Sequence, residues 1–299
     1  MSTALVIGGG GPLAMTWELG LFSGVAKSGV DLTGVNLTVG TSAGAAVGVW
    51  HRSDGVTDAD VLGRLQVLGG QFLEQTAKLA AAAPRASILP GGSLMDRMDA
   101  AAEPGFDAAA GNRMIGQLAL EAATIPEAAY VSMFEELVGT QWPSAFVFGA
   151  TDIDSGELQI WDQPSGMPLG QAIAAGCAWP GVFPPVTIAG RHYMDGGVQD
   201  GMNPQLATGH DTVIAISVRP LAVGDDAPAG TARRQRTSQG ALDDLERQGA
   251  RVVLIEPDSR FIAVSDDGAA LMDLSRIGAA YEAGLEYGAE VAERLRFLR

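Results

Sequence analysis

Ser42, in the pentapeptide Gly40-Thr41-Ser42-Ala43-Gly44, is the residue whose type and surroundings are best suited to chemistry. It follows a short apolar run and precedes an alanine-rich segment, a pattern that predicts a sharp turn between a strand and a helix. A serine on such a turn is exposed, and the flanking glycines let other backbone pass close by. We therefore expect Ser42 to be the nucleophile of an acyl-ester hydrolase. The same residues also fit a structural role, in which Ser42 caps the helix.

A serine hydroxyl needs a base that accepts its proton. His51 lies at the far end of the helix that Ser42 begins, roughly 13 Å away along the axis, and cannot reach it. His210 lies in a predicted turn and His192 in one arm of a predicted hairpin, where surface positions are expected. Asp195, at the end of a strand and before two glycines, is ionised at neutral pH and is the better candidate. Taken alone, it also fits an ordinary turn.

Four consecutive glycines lie between the first predicted strand and the first predicted helix. Ester cleavage develops negative charge on the carbonyl oxygen, and free backbone N–H groups near a helix N-terminus stabilise that charge. The residue after the nucleophile adds a further N–H group. The predicted oxyanion hole consists of Gly9, Gly10, Gly11 and Ala43.

The glycine run also fits a loose dinucleotide-binding fingerprint. Gly9, Gly11 and Ala14 occupy its three small-residue positions after a strand. That fingerprint requires an acidic residue at the end of the second strand, whereas Asp31 precedes this strand. Pro12 also removes one amide from the phosphate site. The sequence therefore favours the oxyanion role.

The alternation of strands and helices along the chain predicts a mainly parallel sheet covered by helices. The expected strands are 4–7, 37–39, 145–150, 157–161, a hairpin over 186–194, 212–218 and 251–256. The expected helices are 12–27, 43–50, 169–175, 238–248 and 269–298. Several short helices are expected between 58 and 138, separated at Pro84, at Pro90-Gly91-Gly92 and at Pro104-Gly105. A mobile polar loop containing Asp225-Asp226 is expected at 219–236.

These elements predict one domain over residues 1–299. Residues 53–142 would form a helical cap-like insertion, and residues 219–299 a C-terminal extension that completes the fold. The hydrophobic content of 47% is enough for a large core.

The composition restricts the partners. A formal net charge of −16, with only 19 Lys and Arg residues, argues against nucleic-acid binding and leaves only transient, local contact with a membrane surface. One cysteine, Cys177, allows neither an internal disulfide nor a thiol zinc site. No leader pattern or membrane-spanning stretch is evident, so a cytoplasmic protein without metal or other cofactor is expected.

Taken together, the motifs resemble those of the patatin-like phospholipases, a family of lipid acyl hydrolases with a Ser/Asp catalytic pair. The resemblance covers about residues 4–218. It implies a three-layer α/β/α fold, Ser42 as nucleophile, Asp195 as base, the glycine loop as oxyanion hole and a lipid or other ester as substrate. The matching stretches are 8–11, Trp17-Glu18-Leu19-Gly20, the Ser42 pentapeptide, Ala150-Thr151-Asp152, 172–185 and Asp195-Gly196-Gly197.

The glycine loop departs from the family pattern at two positions. The family motif usually has a basic residue before its last glycine, where Leu13 and Ala14 stand in this chain. Leu13 cannot attract a phosphate, so a preference for neutral esters and a weakly active, lipid-binding pseudoenzyme both stay open as alternatives. Acyl-chain length, head group and oligomeric state do not follow from the sequence.

Overall fold

The computed structural model describes residues 1–53, 55–82, 107–224 and 227–298. Within these ranges the chain forms one mixed sheet of eight strands with helices on both faces. The strands are β1 (Thr3–Ile7), β2 (Leu37–Gly40), β3 (Phe146–Asp152), β4 (Leu158–Trp161), β5 (Val186–Ile188), β6 (Arg191–Asp195), β7 (Thr212–Ile216) and β8 (Arg251–Ile255).

The helices occupy most of the remaining described chain, and none of them is long and apolar enough to cross a bilayer. They are α1 (Gly11–Lys27), α2 (Ala43–His51), α3 (Asp58–Ala82), α4 (Ala108–Glu121), α5 (Glu127–Val138), α6 (Leu169–Gly176), α7 (Ala229–Arg247), α8 (Ser259–Ser265) and α9 (Ile277–Arg294).

The strands pair in the order β5-β6-β3-β2-β1-β7-β8. β2 and β6 pair with successive parts of one edge of β3, and β4 pairs with its opposite edge. Neighbours in the segment β3-β2-β1-β7-β8 are parallel, whereas β4 and β6 run antiparallel to β3, and β5 antiparallel to β6. Parallel strands need helical crossovers, which explains why both faces of the sheet are covered. The predicted mainly parallel α/β fold is confirmed.

Side chains of the central strands alternate between two hydrophobic cores, as a period of two requires. Leu5 and Ile7 of β1 face the larger core, which α1, α2 and α9 cover. Ala4 and Val6 face the opposite core, where Leu242 of α7 packs against the sheet. The molecule therefore has helix, sheet and helix layers.

α3 is one helix of 25 residues that ends before Pro84, the first of the predicted breaks. A different helix, α7, departs from its predicted extent. α7 begins at Ala229, inside the stretch predicted as a loop, because its first half packs through Gly230 and Ala232 and carries no apolar stripe. The breaks predicted at Pro84, Pro90-Gly91-Gly92 and Pro104-Gly105, and Asp225-Asp226 of the predicted loop, lie outside the described residues.

The C-terminal helix α9 begins at Ile277, about two helical turns beyond the predicted start near Ala269. Asp266, Asp267 and Gly268 all have positive φ angles, of 51°, 49° and 85°. These left-handed residues end α8, and the chain then makes a compact turn up to residue 272 instead of entering α9 at once.

Candidate active site

Strand β3 brings the ends of two other strands together. β2 pairs along β3 as far as Gly40 opposite Phe148, and β6 pairs with β3 from Asp195 opposite Ala150. β4 pairs with both Phe148 and Ala150 and therefore occupies the other edge of β3. Since β2 and β6 must share one edge, Asp195 lies just beyond the end of β2, where the chain turns at Ser42.

The predicted nucleophile and base are in direct contact. The Ser42 hydroxyl donates a hydrogen bond of 2.6 Å to Oδ2 of Asp195, and the Gly197 N–H donates one of 2.7 Å to Oδ1. Asp195 is fully buried, whereas Ser42 is partly exposed. Ser42 makes no side-chain capping bond to α2, because its hydroxyl is directed at the carboxylate. The geometry is that of a serine hydroxyl polarised by a buried carboxylate.

Ser42 has a strained backbone, with φ 51° and ψ −122°. Non-glycine residues adopt such angles only where the surrounding structure holds them. The Thr41 N–H donates to the carbonyl of Ile7 on β1 at 3.0 Å, immediately before the strained residue. After it, the Ser42 carbonyl accepts from the Ala45 N–H at 2.8 Å and from the Cys177 thiol at 3.1 Å. These bonds hold the turn from both sides.

Two glycines are required by the close approach of other backbone to this turn. A Cβ atom on Gly9 would lie 2.7 Å from the Ser42 Cβ, and one on Gly44 would lie 2.5 Å from the carbonyl oxygen of Gly8. Side chains do not fit at these distances. The glycine loop after β1 therefore lies directly against the serine.

The backbone amides of the predicted oxyanion hole differ in availability. The Gly9 N–H donates to the carbonyl of Gly201 at 2.8 Å, so it is not free to bind an oxyanion. Gly9 instead lets the loop lie close to the serine. Among the described residues, no acceptor is paired with the N–H groups of Gly10, Gly11 or Ala43. These three amides lie at the N-terminal ends of α1 and α2, where the helix dipoles favour negative charge.

The environment of Asp195 changes its acidity. Burial raises the pKa of its carboxyl to about 6, against the lowering effects of the Ser42 and Gly197 hydrogen bonds and of the Arg234 charge. A carboxylate with this pKa is ionised at neutral pH and accepts a proton more readily than an ordinary aspartate. Burial thus makes Asp195 a stronger base than its residue type suggests.

A family model described as patatin-like phospholipase matches residues 5–208 of the chain. The chain belongs to the patatin-like phospholipase family. This membership supports hydrolysis of lipid acyl esters as its general activity. A search of curated proteins found no match. Among solved structures, the crystal structure of VipD from Legionella pneumophila is similar at 13% identity and a TM-score of 0.41, over 98% of this chain and 66% of that chain.

Other polar residues hold the serine–aspartate pair of this patatin-like protein in place. The Asn203 side-chain amide donates to Thr41 Oγ1 at 3.0 Å and to the Gly196 carbonyl at 3.2 Å. The Thr151 hydroxyl donates to the carbonyl of Asp195 at 3.0 Å. The sequence did not assign these roles. Thr151 stands in one of the family-like stretches, and Asn203 is a turn-favouring residue soon after Asp-Gly-Gly, which were the available signals.

The histidines lie elsewhere, as their placement in the sequence predicted. The imidazole Nε2 of His51 is 3.0 Å from the Leu32 carbonyl, and Nδ1 of His210 is 3.0 Å from the Ala207 carbonyl. His192 lies on β6 and is half-buried. In the described part of the chain, no histidine hydrogen-bonds to the serine–aspartate pair. The described residues also contain no cluster of three or more His, Cys, Asp or Glu side chains that could hold a metal ion.

The side chains at the two positions that depart from the family motif lie in the core. The side chains of Leu13 and Ala14 are fully buried, and the Leu13 N–H donates to the Leu271 carbonyl at 3.2 Å. Where the family motif has a basic residue, this chain therefore has apolar side chains in its core. Asp31 bonds to Thr33 within a turn before β2, away from the position a dinucleotide fingerprint requires.

Proposed function

We propose that this protein hydrolyses carboxylic esters of lipids, as a phospholipase A, lysophospholipase or related esterase, with Ser42 as nucleophile and Asp195 as base. The observation that carries this proposal is the 2.6 Å hydrogen bond from the Ser42 hydroxyl to a buried carboxylate. Family membership supports the ester substrate class.

In the first step, Ser42 Oγ attacks the ester carbonyl carbon while Asp195 accepts the hydroxyl proton. The bond to the alcohol oxygen then breaks, and Asp195 returns the proton to that oxygen as the alcohol leaves. Water attacks the acyl–Ser42 ester in the same manner, and Asp195 accepts and returns one proton. The balance is one ester and one water converted to one acid and one alcohol.

Negative charge on the carbonyl oxygen is stabilised in this proposal by the N–H groups of Gly10, Gly11 and Ala43. They are unpaired within the described chain and belong to the two helix ends that flank the serine. Donors already in place need no rearrangement when charge develops, which is the main advantage of an oxyanion hole.

Fluorophosphonate labelling tests this proposal directly, because the reagent reacts with activated serines. We expect one label per chain, mapped to Ser42 by peptide mass spectrometry and absent in Ser42→Ala. Ser144→Ala is a matched control, since Ser144 is an exposed loop serine, and its labelling should equal that of the unchanged protein. An unlabelled protein that retains lipid after purification would instead indicate a binding function.

The rate should follow the ionisation of Asp195. The base is active only as a carboxylate, so kcat/KM is expected to fall as the pH is lowered through about 6. Near pH 5 the value should be about one tenth of the plateau above pH 7, since about a tenth of the carboxylate stays ionised. Initial rates on a p-nitrophenyl ester, stopped at a common alkaline pH, measure this. A flat profile between about pH 5 and 8 contradicts the assignment.

A further inference from the structure

The C-terminal turn, residues 266–272, lies against the glycine loop. Its Leu271 carbonyl accepts the Leu13 N–H at 3.2 Å, just after the start of α1. Within the turn, the N–H of Ala270 donates to the Ser265 carbonyl at 2.8 Å and that of Asp273 to the Ala270 carbonyl at 2.8 Å. The turn lies beyond residues 5–208, which match the family model.

Arg219, which follows β7, fixes the C-terminal turn to the sheet. Its guanidinium donates to the carbonyls of Asp267 at 3.2 Å and Gly268 at 2.8 Å. The Arg219 carbonyl in turn accepts the Ser217 hydroxyl at 2.6 Å. These bonds join the turn to the end of the strand next to β1, so the turn has a defined position relative to the glycine loop.

Met272 is the residue of this turn that reaches the glycine loop. Its sulfur lies 2.7 Å from the position a Cβ atom on Gly11 would take, which places the thioether in contact with this glycine. The side chain is nevertheless 41% exposed. An exposed apolar side chain therefore borders a residue whose N–H group is free to bind an oxyanion.

We propose that Met272 determines specificity by limiting the bulk that the substrate can carry next to its ester carbonyl. This inference rests on the proposed function. A carbonyl oxygen bound by the Gly11 N–H must come within about 3 Å of that nitrogen, so groups on the neighbouring carbon or alcohol meet the Met272 side chain. Linear groups pass beside it, whereas branched groups collide with it.

The test compares kcat/KM for linear and branched esters. One pair, p-nitrophenyl butyrate and isobutyrate, varies the acyl side, and a second pair, n-butyl and tert-butyl butyrate, varies the alcohol side. Met272→Ala should raise the branched-to-linear ratio about tenfold in one of the pairs, which identifies the restricted side. Met272→Trp should lower that ratio, and Met272→Leu should leave it near the original value, because leucine has a similar volume.

Met114→Ala is the matched control, because Met114 is a similarly exposed methionine, at 38%, on α4. Its branched-to-linear ratios should not change. Unchanged ratios in both pairs for Met272→Ala and Met272→Trp would overturn the inference. Fluorophosphonate labelling of Ser42 in the same variants separates this failure from a failure of the proposed function, since a protein that never labels has no acyl-transfer site to restrict.

Discussion

Ser42→Ala and Asp195→Asn are each expected to lower kcat for a p-nitrophenyl ester by about 10⁴-fold or more, and the double variant to be no slower than either single one. The reason is that nucleophile and base act as one unit through a single 2.6 Å hydrogen bond. Without the carboxylate the hydroxyl keeps its proton, and without the hydroxyl the carboxylate has nothing to activate. Steady-state rates of the three variants measure this coupling.

The Asp195→Asn variant should keep its fold. The side-chain oxygen of asparagine can still accept the Gly197 N–H, and the amide can donate to the Ser42 oxygen. Because burial raises the pKa of Asp195 to about 6, the folded protein holds an unfavourable buried charge above that pH. Removing the charge should therefore leave Tm at about pH 8 equal or higher. Asp243→Asn, on the exposed face of α7, is the control for both rate and Tm.

Losses in Ser42→Ala and Asp195→Asn that add up in the double variant would contradict the shared mechanism. So would substantial turnover by Asp195→Asn, since no other base contacts the serine among the described residues. A lower Tm in Asp195→Asn would show that the carboxylate, rather than any group of its shape, is needed for folding.

The parts of the site that could be predicted are those that depend on short, contiguous stretches of sequence. A strand, a small-residue turn and a helix in succession predicted the position of Ser42, and the strand end before two glycines predicted that of Asp195. Their contact depends on the shared edge of β3, which a list of strands does not reveal. It was the combination of motifs, rather than strand order, that linked the two residues.

The parts that could not be predicted depend on contacts between distant segments. The Gly9 amide is satisfied by the Gly201 carbonyl, far along the chain, and nothing in the glycine run indicates this. Met272 approaches Gly11 after a turn in which Asp266 and Asp267 both take left-handed angles, and the sequence does not indicate where that turn places its last residues. The start of α7 was missed because small and polar residues form its buried face.

The packing of α9 on α1 is another such long-range feature, and it relies on glycines. Gly20 and Gly24 of α1 face α9, and Gly284 and Gly288 of α9 face α1; each lacks space for a Cβ atom because the opposite backbone is too close. Helix axes approach this closely only where side chains are absent. We propose that α9, as part of residues 219–299, completes the domain by covering the helix that begins at the glycine loop.

Gly284→Ala is therefore expected to destabilise the protein strongly. The added methyl group would overlap the carbonyl oxygen of Trp17, a backbone atom that cannot move without shifting α1. Overpacking of this kind costs about 3 kcal/mol or more when backbone must move, and lowers Tm by about 5 °C or more. Urea unfolding followed by circular dichroism measures the difference.

Gly278→Ala is the matched control, because Gly278 lies on the same helix and a Cβ atom there meets nothing within 4 Å. Alanine has the higher helix propensity, so this variant should be more stable by up to about 1 kcal/mol. Opposite signs for the same substitution on one helix would assign the loss to contact with α1 rather than to the helix itself. Equal free energies of unfolding for Gly284→Ala and Gly278→Ala would contradict the close packing of α9 against α1, and with it the proposed role of α9 in completing the domain.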